Sequence, residues 1–171
     1  DLTGRTVCRD DFSGAQGILV AFLCNHCPFV KYIANDLAAF AKEYQGKGLA
    51  IVGINPNDAE AHPEDSPDQM LAEVHQRGYT FPYLVDESQE IAKSYKAACT
   101  PDFFLFDYGF RLAYRGQFDP SRPSLDIPVT GADLRDASDA LLSGVSPSNV
   151  QVPSVGCNIK WKPGNAPDWF R

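Results

Sequence analysis

Cys24 and Cys27 stand three positions apart, separated by Asn25 and His26, with an apolar run before them and Pro28 after them. Two thiols at this spacing in a first helical turn bring their sulfurs close enough to bridge through a small loop. A helix N-terminus supplies unpaired N–H groups and positive potential, and both lower a thiol pKa. The thiolate is the form that attacks a disulfide. Sequence order therefore assigns attack to Cys24, as the first and more exposed thiol, and resolution to the more buried Cys27. His26, when protonated, would favour the Cys24 thiolate, stabilise the reduced form and so raise the reduction potential. Pro28 falls in the first helical turn, where its missing N–H does limited damage.

A structural zinc site is the bland alternative for the pair. Zinc takes about four ligands, usually from a second Cys/His pair at short spacing, and the chain has no such second pair. The other cysteines are scattered. Cys99 directly precedes Thr100-Pro101, which should bring it within reach of the pair, so it is a candidate accessory thiol. Cys157, flanked by Gly156 and Asn158 with Trp161 and two lysines nearby, is another: it either relays electrons or packs. Cys8 reads as an inert thiol. Arg115 and Arg122, near Asp119, read as a surface ion pair. Five cysteines in 171 residues do not form the even, dense set of a disulfide-stapled secreted domain.

The elements that must hold this pair can be traced from periodicity. Ile18 to Leu23 is a continuous apolar run, the texture of a strand buried on both faces. Phe29, Ile33, Leu37 and Phe40 fall on one face of a helix that should stop near Gln45-Gly46-Lys47-Gly48. Leu49 to Ile54 is a second buried strand. Asn55 to Pro67, rich in Asn, Asp and Pro, reads as an exposed loop. Ser66-Pro67-Asp68-Gln69 opens a helix with a capping box and runs to about Arg77-Gly78. Phe81 to Val85 is a short strand that its proline pushes to a sheet edge. A short helix over 87–95 follows, then a strand over 102–106. A turn at Asp107 to Phe110 leads to a partner strand, Arg111 to Arg115. The last helix spans Thr130 to Leu142. From Ser143 onward the chain loses its periodicity. Alternating strands and helices give an α/β sheet with helices on both faces, and the late hairpin adds antiparallel strands.

The net charge of −7, without any basic block, argues against nucleic acid or an anionic membrane as partner. No apolar run approaches the ~20 residues of a membrane span. The chain opens on a turn-like Asp1-Leu2-Thr3-Gly4-Arg5 without a Met, so residues are expected to precede it. The expected location is the cytoplasm, although a removed signal would leave the same sequence.

Cys24-Asn25-His26-Cys27-Pro28-Phe29-Val30, together with Cys99-Thr100-Pro101-Asp102-Phe103, Tyr114-Arg115-Gly116 and Gly156-Cys157-Asn158-Ile159-Lys160-Trp161-Lys162, resembles the thioredoxin-like redoxin family. Within it, the likeness is to an uncharacterised bacterial branch labelled AhpC/TSA-domain. The resemblance implies a thioredoxin fold: a central mixed β-sheet flanked by helices on both faces, in one domain over 1–171. Its core would span about 12–142, with an irregular C-terminal extension over 143–171. It implies that Thr100-Pro101 is a cis turn that packs against the cysteine pair and faces the substrate. The usual first strand of the family is not visible.

The leading expectation is a thiol–disulfide oxidoreductase acting on protein or small-molecule thiols and disulfides. The expected site holds no cofactor and no metal, and the oligomeric state stays open. A thiol peroxidase is the alternative: peroxiredoxins carry Thr-x-x-Cys followed by Pro, which would put Cys27 in the peroxidatic place and Cys24 in the threonine place. The position of the peroxidase arginine is taken by Thr100-Pro101. A Cu(I)-binding metallochaperone using Cys24, Cys27 and either Cys99 or His26 is a third class, and a non-catalytic interaction domain a fourth.

Overall fold

The structure, a computed structural model, describes residues 1–170. Its centre is a five-stranded sheet in the order β3-β2-β1-β5-β6. Strand β1 (Gly17–Phe22) lies between β2 (Leu49–Asn55), which runs parallel to it, and β5 (Asp102–Asp107), which runs antiparallel. β3 (Tyr83–Val85) is the parallel edge beside β2, and β6 (Leu112–Gly116) pairs antiparallel with β5 at the other edge. The fold is thus the mixed α/β sheet of the thioredoxin type, and the short strand after Pro82 does fall on an edge.

Alternation along β1 splits the interior into two layers. Leu19 and Ala21 join Phe103 and Leu105 beneath α1 (Pro28–Gly46) and α4 (Ala132–Leu142), where Ile33, Leu37, Phe40 and Leu134 pack. Each such large side chain stabilises the fold by ~1.5–3 kcal/mol on burial. Ile18, Val20 and Phe22 face the other way, with Val52, Ile54 and Phe104, beneath the short α3 (Glu90–Tyr95) and Ile159. That second layer is thinner, and it leaves an apolar groove of about 760 Å³ bordered by Phe12, Tyr95 and Phe106.

Several expected boundaries move for physical reasons. The helix α2 (Pro67–Arg77) begins after Ser66 and ends at a left-handed Gly78, φ 70°, but the capping box does not form. The Ser66 side chain makes no cap bond; only its carbonyl is engaged, accepting the Met70 N–H as the first intrahelical bond. The helix expected over 87–95 starts only at Glu90. Gln89 sits in the left-handed region while its side-chain amide is drawn inward to the carbonyls of Pro56 and Lys160, at 2.8 and 3.0 Å. The last helix starts at Ala132 because the Asp119 carboxylate captures the N–H groups of Thr130 and Gly131.

Two further features bear on the site. The stretch from Asn55 to Pro67 is exposed only in part: Glu60, Ala61, Pro63 and Glu64 face solvent, whereas Asn55, Asn57, Asp58 and Asp65 are buried. The C-terminal extension, irregular as expected, is tied down. Gln117 donates to the Val152 carbonyl, Ser154 donates to the Gly116 carbonyl, and Cys157–Asn158 forms a short strand, β7. Among the described residues no helix is long and apolar enough to cross a membrane.

Candidate active site

Strand β1 ends at Phe22, and α1 begins at Pro28 with Cys27 as its N-cap, so both cysteines lie on the strand-to-helix junction. Both are buried, with Cys24 1% and Cys27 0% exposed. The expected difference in exposure between them is absent, because the C-terminal extension and the 55–65 segment close over the junction.

Thr100 connects the two sulfurs. Cys24 Sγ lies 3.1 Å from Thr100 Oγ1, and the Cys27 thiol donates to the Thr100 carbonyl at 3.1 Å. Thr100 belongs to β4 (Cys99–Thr100), and the Thr100–Pro101 peptide is cis. The turn therefore faces the pair, as the resemblance implies. Its outer edge is not open to a substrate: β7 pairs antiparallel with β4, setting Thr100 opposite Cys157 and Cys99 opposite Asn158.

The two thiols titrate together. Cys24 is pushed far above the usual thiol range, first by its hydrogen bond with Cys27, then by burial and by the nearby Asp65 carboxylate. Cys27 is held below that range, first by Cys24 as donor and, against the cost of burial, by Cys157 and the Val30 N–H. The Cys27 thiol's donation to the Thr100 carbonyl engages the protonated form of that sulfur. The charge of the singly ionised pair thus favours Cys27, whereas sequence order assigned the thiolate to Cys24.

Asp65 was not singled out in the sequence. Its Oδ1 accepts the Asn25 N–H at 2.6 Å, and its Oδ2 accepts from Asn57 Nδ2 at 2.8 Å and meets His26 Nδ1 at 2.7 Å. Asn25 is fixed further by its own donation to the Glu64 carbonyl at 2.9 Å and by the Tyr83 hydroxyl at 3.2 Å. His26 stacks on His62 with ring centroids 5.0 Å apart. His26 thus lies beside Cys24 together with Asp65, and it is the Asp65 carboxylate that raises the thiol. Only the Asn/Asp-rich composition of 55–65 hinted at these residues, and that composition reads equally as a turn.

One sulfur, one imidazole nitrogen and one carboxylate oxygen, from Cys24, His26 and Asp65, lie within 4.8 Å of one another. Metal ligation by Asp65 would compete with its bonds to Asn25, Asn57 and His26, so this group is better built to hold the loop than to hold an ion.

The other expected residues separate. Cys99 alternates with Thr100 along β4, so its side chain leaves the opposite face. It donates to the Pro101 carbonyl at 3.6 Å, and burial, then Asp102, push it up to about 12. Cys157 packs against the layer containing Cys24 and Cys27. Burial and then Cys27 raise it to about 11. Cys8 is exposed. Arg115 pairs with Asp102 at 3.3 Å, and Arg122 donates to the Asp119 backbone carbonyl at 2.8 Å, so the ion pair expected with Asp119 does not form.

A mixed sheet with two buried sulfurs at the β1–α1 junction, backed by a Thr–cis-Pro turn, defines a thioredoxin-like redoxin. The chain belongs to the AhpC/TSA family, whose model matches residues 1–115. It is similar to a hypothetical protein of solved structure from Sinorhizobium meliloti 1021, at 54% identity and TM-score 0.94 over 96% of this chain and 90% of that one. An uncharacterized conserved protein from Geobacillus kaustophilus matches at 50% identity and TM-score 0.92, over 95% and 86%. A secreted disulfide oxidoreductase of Mycobacterium tuberculosis shares the fold at 17% identity and TM-score 0.60, over 84% and 92%. No curated protein matches the chain.

Proposed function

We propose that the chain is a thiol–disulfide oxidoreductase working through the Cys24/Cys27 couple. The observation that carries this reading is the shared contact of both sulfurs with Thr100, each at 3.1 Å, at a helix N-terminus. A thiolate on Cys27 attacks a substrate disulfide, forming a mixed disulfide and releasing one substrate thiolate. Cys24 then attacks Cys27 Sγ. The mixed bond breaks, the second substrate thiolate leaves, and the Cys24 proton passes to it. The substrate gains two electrons and the pair loses two. Burial of both sulfurs favours small disulfides, or thiols on an extended loop, over a folded surface.

Equilibration of the reduced protein with dithiothreitol of graded redox state, followed by acid quench, tests the proposal. The expected result is a reversible two-electron couple with a disulfide between Cys24 and Cys27. Unchanged thiol content across the series removes the proposal.

The place of Cys27, at the N-cap of α1 with Pro28 directly after it, also fits a second reading, a thiol peroxidase, in which Cys27 takes the peroxidatic place. Stopped-flow mixing with hydrogen peroxide separates the two. Oxidation of Cys27 faster than a free thiol supports the peroxidase; oxidation at the free-thiol rate leaves only disulfide exchange.

A further inference from the structure

Residues 156–158 lie across the Thr100–Pro101 turn as a strand of the protein's own. Cys157 stands opposite Thr100 in the antiparallel register, where paired Cα atoms are ~5 Å apart. The carbonyl oxygen of that same Thr100 is 3.1 Å from Cys27 Sγ, and Cys157 packs against the buried layer that holds Cys24 and Cys27. The register is fixed by contact. A Cβ at Gly156 would meet the Thr100 carbonyl oxygen at 2.1 Å and Pro101 N at 3.0 Å, so only a hydrogen fits against the turn. Downstream, the Ile159 N–H reaches the Ala98 carbonyl at 3.3 Å, and the Lys160 N–H goes to Asn57 Oδ1 at 2.9 Å. Asn57 in turn holds Asp65, which holds His26 and Asn25. The strap is thereby bonded to the loop that positions the cysteine pair.

We infer that Cys157 is a third redox thiol, which takes over the disulfide from Cys24 by exchange at Cys27. This rests on the Cys24/Cys27 couple proposed above. Once a substrate disulfide has oxidised that couple, the Cys157 thiolate attacks Cys27 Sγ. The Cys27–Cys157 bond forms and the Cys24–Cys27 bond breaks. The electron pair leaves on Cys24 Sγ, which ends with the proton given up by Cys157. The step is an isomerisation: one disulfide before and one after, with no further oxidant. It moves the oxidised state from a fully buried pair to a half-buried thiol on the strap, where a reducing thiol meets it. Cys24 is returned as a free thiol.

Peptide mapping reads this directly. Trypsin leaves Cys24 and Cys27 together in Asp10–Lys31 and Cys157 in Asp136–Lys160. A Cys24–Cys27 disulfide is internal to the first peptide, whereas Cys27–Cys157 joins the two. The wild type is oxidised with hydroxyethyl disulfide, quenched in acid, alkylated and digested. The expected result is the joined pair alongside the internal disulfide, with fragmentation placing the link at Cys27. In Cys24→Ser the joined pair becomes the main oxidised product. In Cys24→Ser combined with Cys157→Ser, a mixed disulfide with mercaptoethanol persists on Cys27 instead. An internal disulfide in the wild type with no joined pair in either protein overturns the inference and leaves the function proposed above standing. A joined pair with no internal disulfide at any time after mixing overturns both the Cys24/Cys27 couple and the transfer from it, leaving Cys157 as the direct resolving thiol. Absence of both disulfides overturns both.

Discussion

Asp65 Oδ1 accepts the backbone N–H of Asn25 at 2.6 Å, although forty residues separate the two along the chain. The bond ties the first peptide between the cysteines to a buried carboxylate, so the redox loop is held from outside its own helix. Asp65→Ala leaves the Asn25 N–H and the Asn57 amide without an acceptor in a buried site. Each such group costs ~1–3 kcal/mol, so chemical denaturation should show a loss of about 3 kcal/mol. The same carboxylate raises Cys24, after Cys27 and burial. Asp65→Asn should therefore ease ionisation of Cys24, read as faster closure of the Cys24–Cys27 disulfide from a mixed disulfide at fixed pH. An unchanged closure rate removes the electrostatic part of the argument.

The charge assigned to Cys27 makes a prediction of its own. A thiolate stabilised below the usual thiol range persists as the pH falls. The relative rate of alkylation at Cys27 by iodoacetamide should reach half its plateau well below the ~8.5 of a free cysteine. Cys24→Ala removes the strongest donor to that thiolate, so in this variant the half-point should rise. A half-point near 8.5 in the unsubstituted protein returns the attacking role to Cys24.

How much of this could be read from the sequence depends on whether the signal was local. The apolar run ending at Phe22, the Cys24/Cys27 spacing and the Thr100-Pro101 turn before the Phe103–Phe106 strand each carry their information within a few residues. They locate the two halves of the site. Asp65 and Asn57 carry none. Their neighbours are turn formers, and burial comes only from partners at Asn25, His26 and Lys160, supplied by distant elements. β7 is two residues long, too short for any alternation to appear, so Cys157 gave no sign of its place opposite Thr100. The shortened α3 shares that origin: the Gln89 side-chain amide goes to the distant Pro56 and Lys160 carbonyls rather than to a local partner.

Asp119 offers a test of the fold away from the sulfurs. Its carboxylate accepts three backbone N–H groups, from Ser121 at 2.9 Å, Thr130 at 2.7 Å and Gly131 at 2.6 Å. Although burial pushes its pKa up, these bonds hold it below the usual carboxylate value. A depressed folded pKa contributes stability that is present above the unfolded pKa, about 3.9, and is lost as pH falls through the folded value. Asp119→Asn should cost about 2 kcal/mol at neutral pH. The gap between variant and wild type should narrow in acid, measured by urea denaturation at several pH values. A gap independent of pH would mean that the charge plays no part.

The strap itself is tested at Gly156. A Cβ there meets backbone atoms of Thr100 and Pro101 that have no freedom to move aside, so Gly156→Val should lift β7 from β4 without touching either cysteine of the pair. Lifting it uncovers the edge of β4 and the side of Cys27 that Cys157 now occupies. Reaction of the pair with Ellman's reagent should then accelerate by about tenfold or more, as expected when a closed state with ~1.4 kcal/mol of protection is opened. The Lys160 and Asn57 contacts lie beyond the lesion, so the far end of the strap should keep its slow amide exchange at Lys160. If the thiols react no faster while β7 loses its exchange protection, the strap does not limit access to the pair, and burial of the sulfurs comes from the Asp65 loop alone.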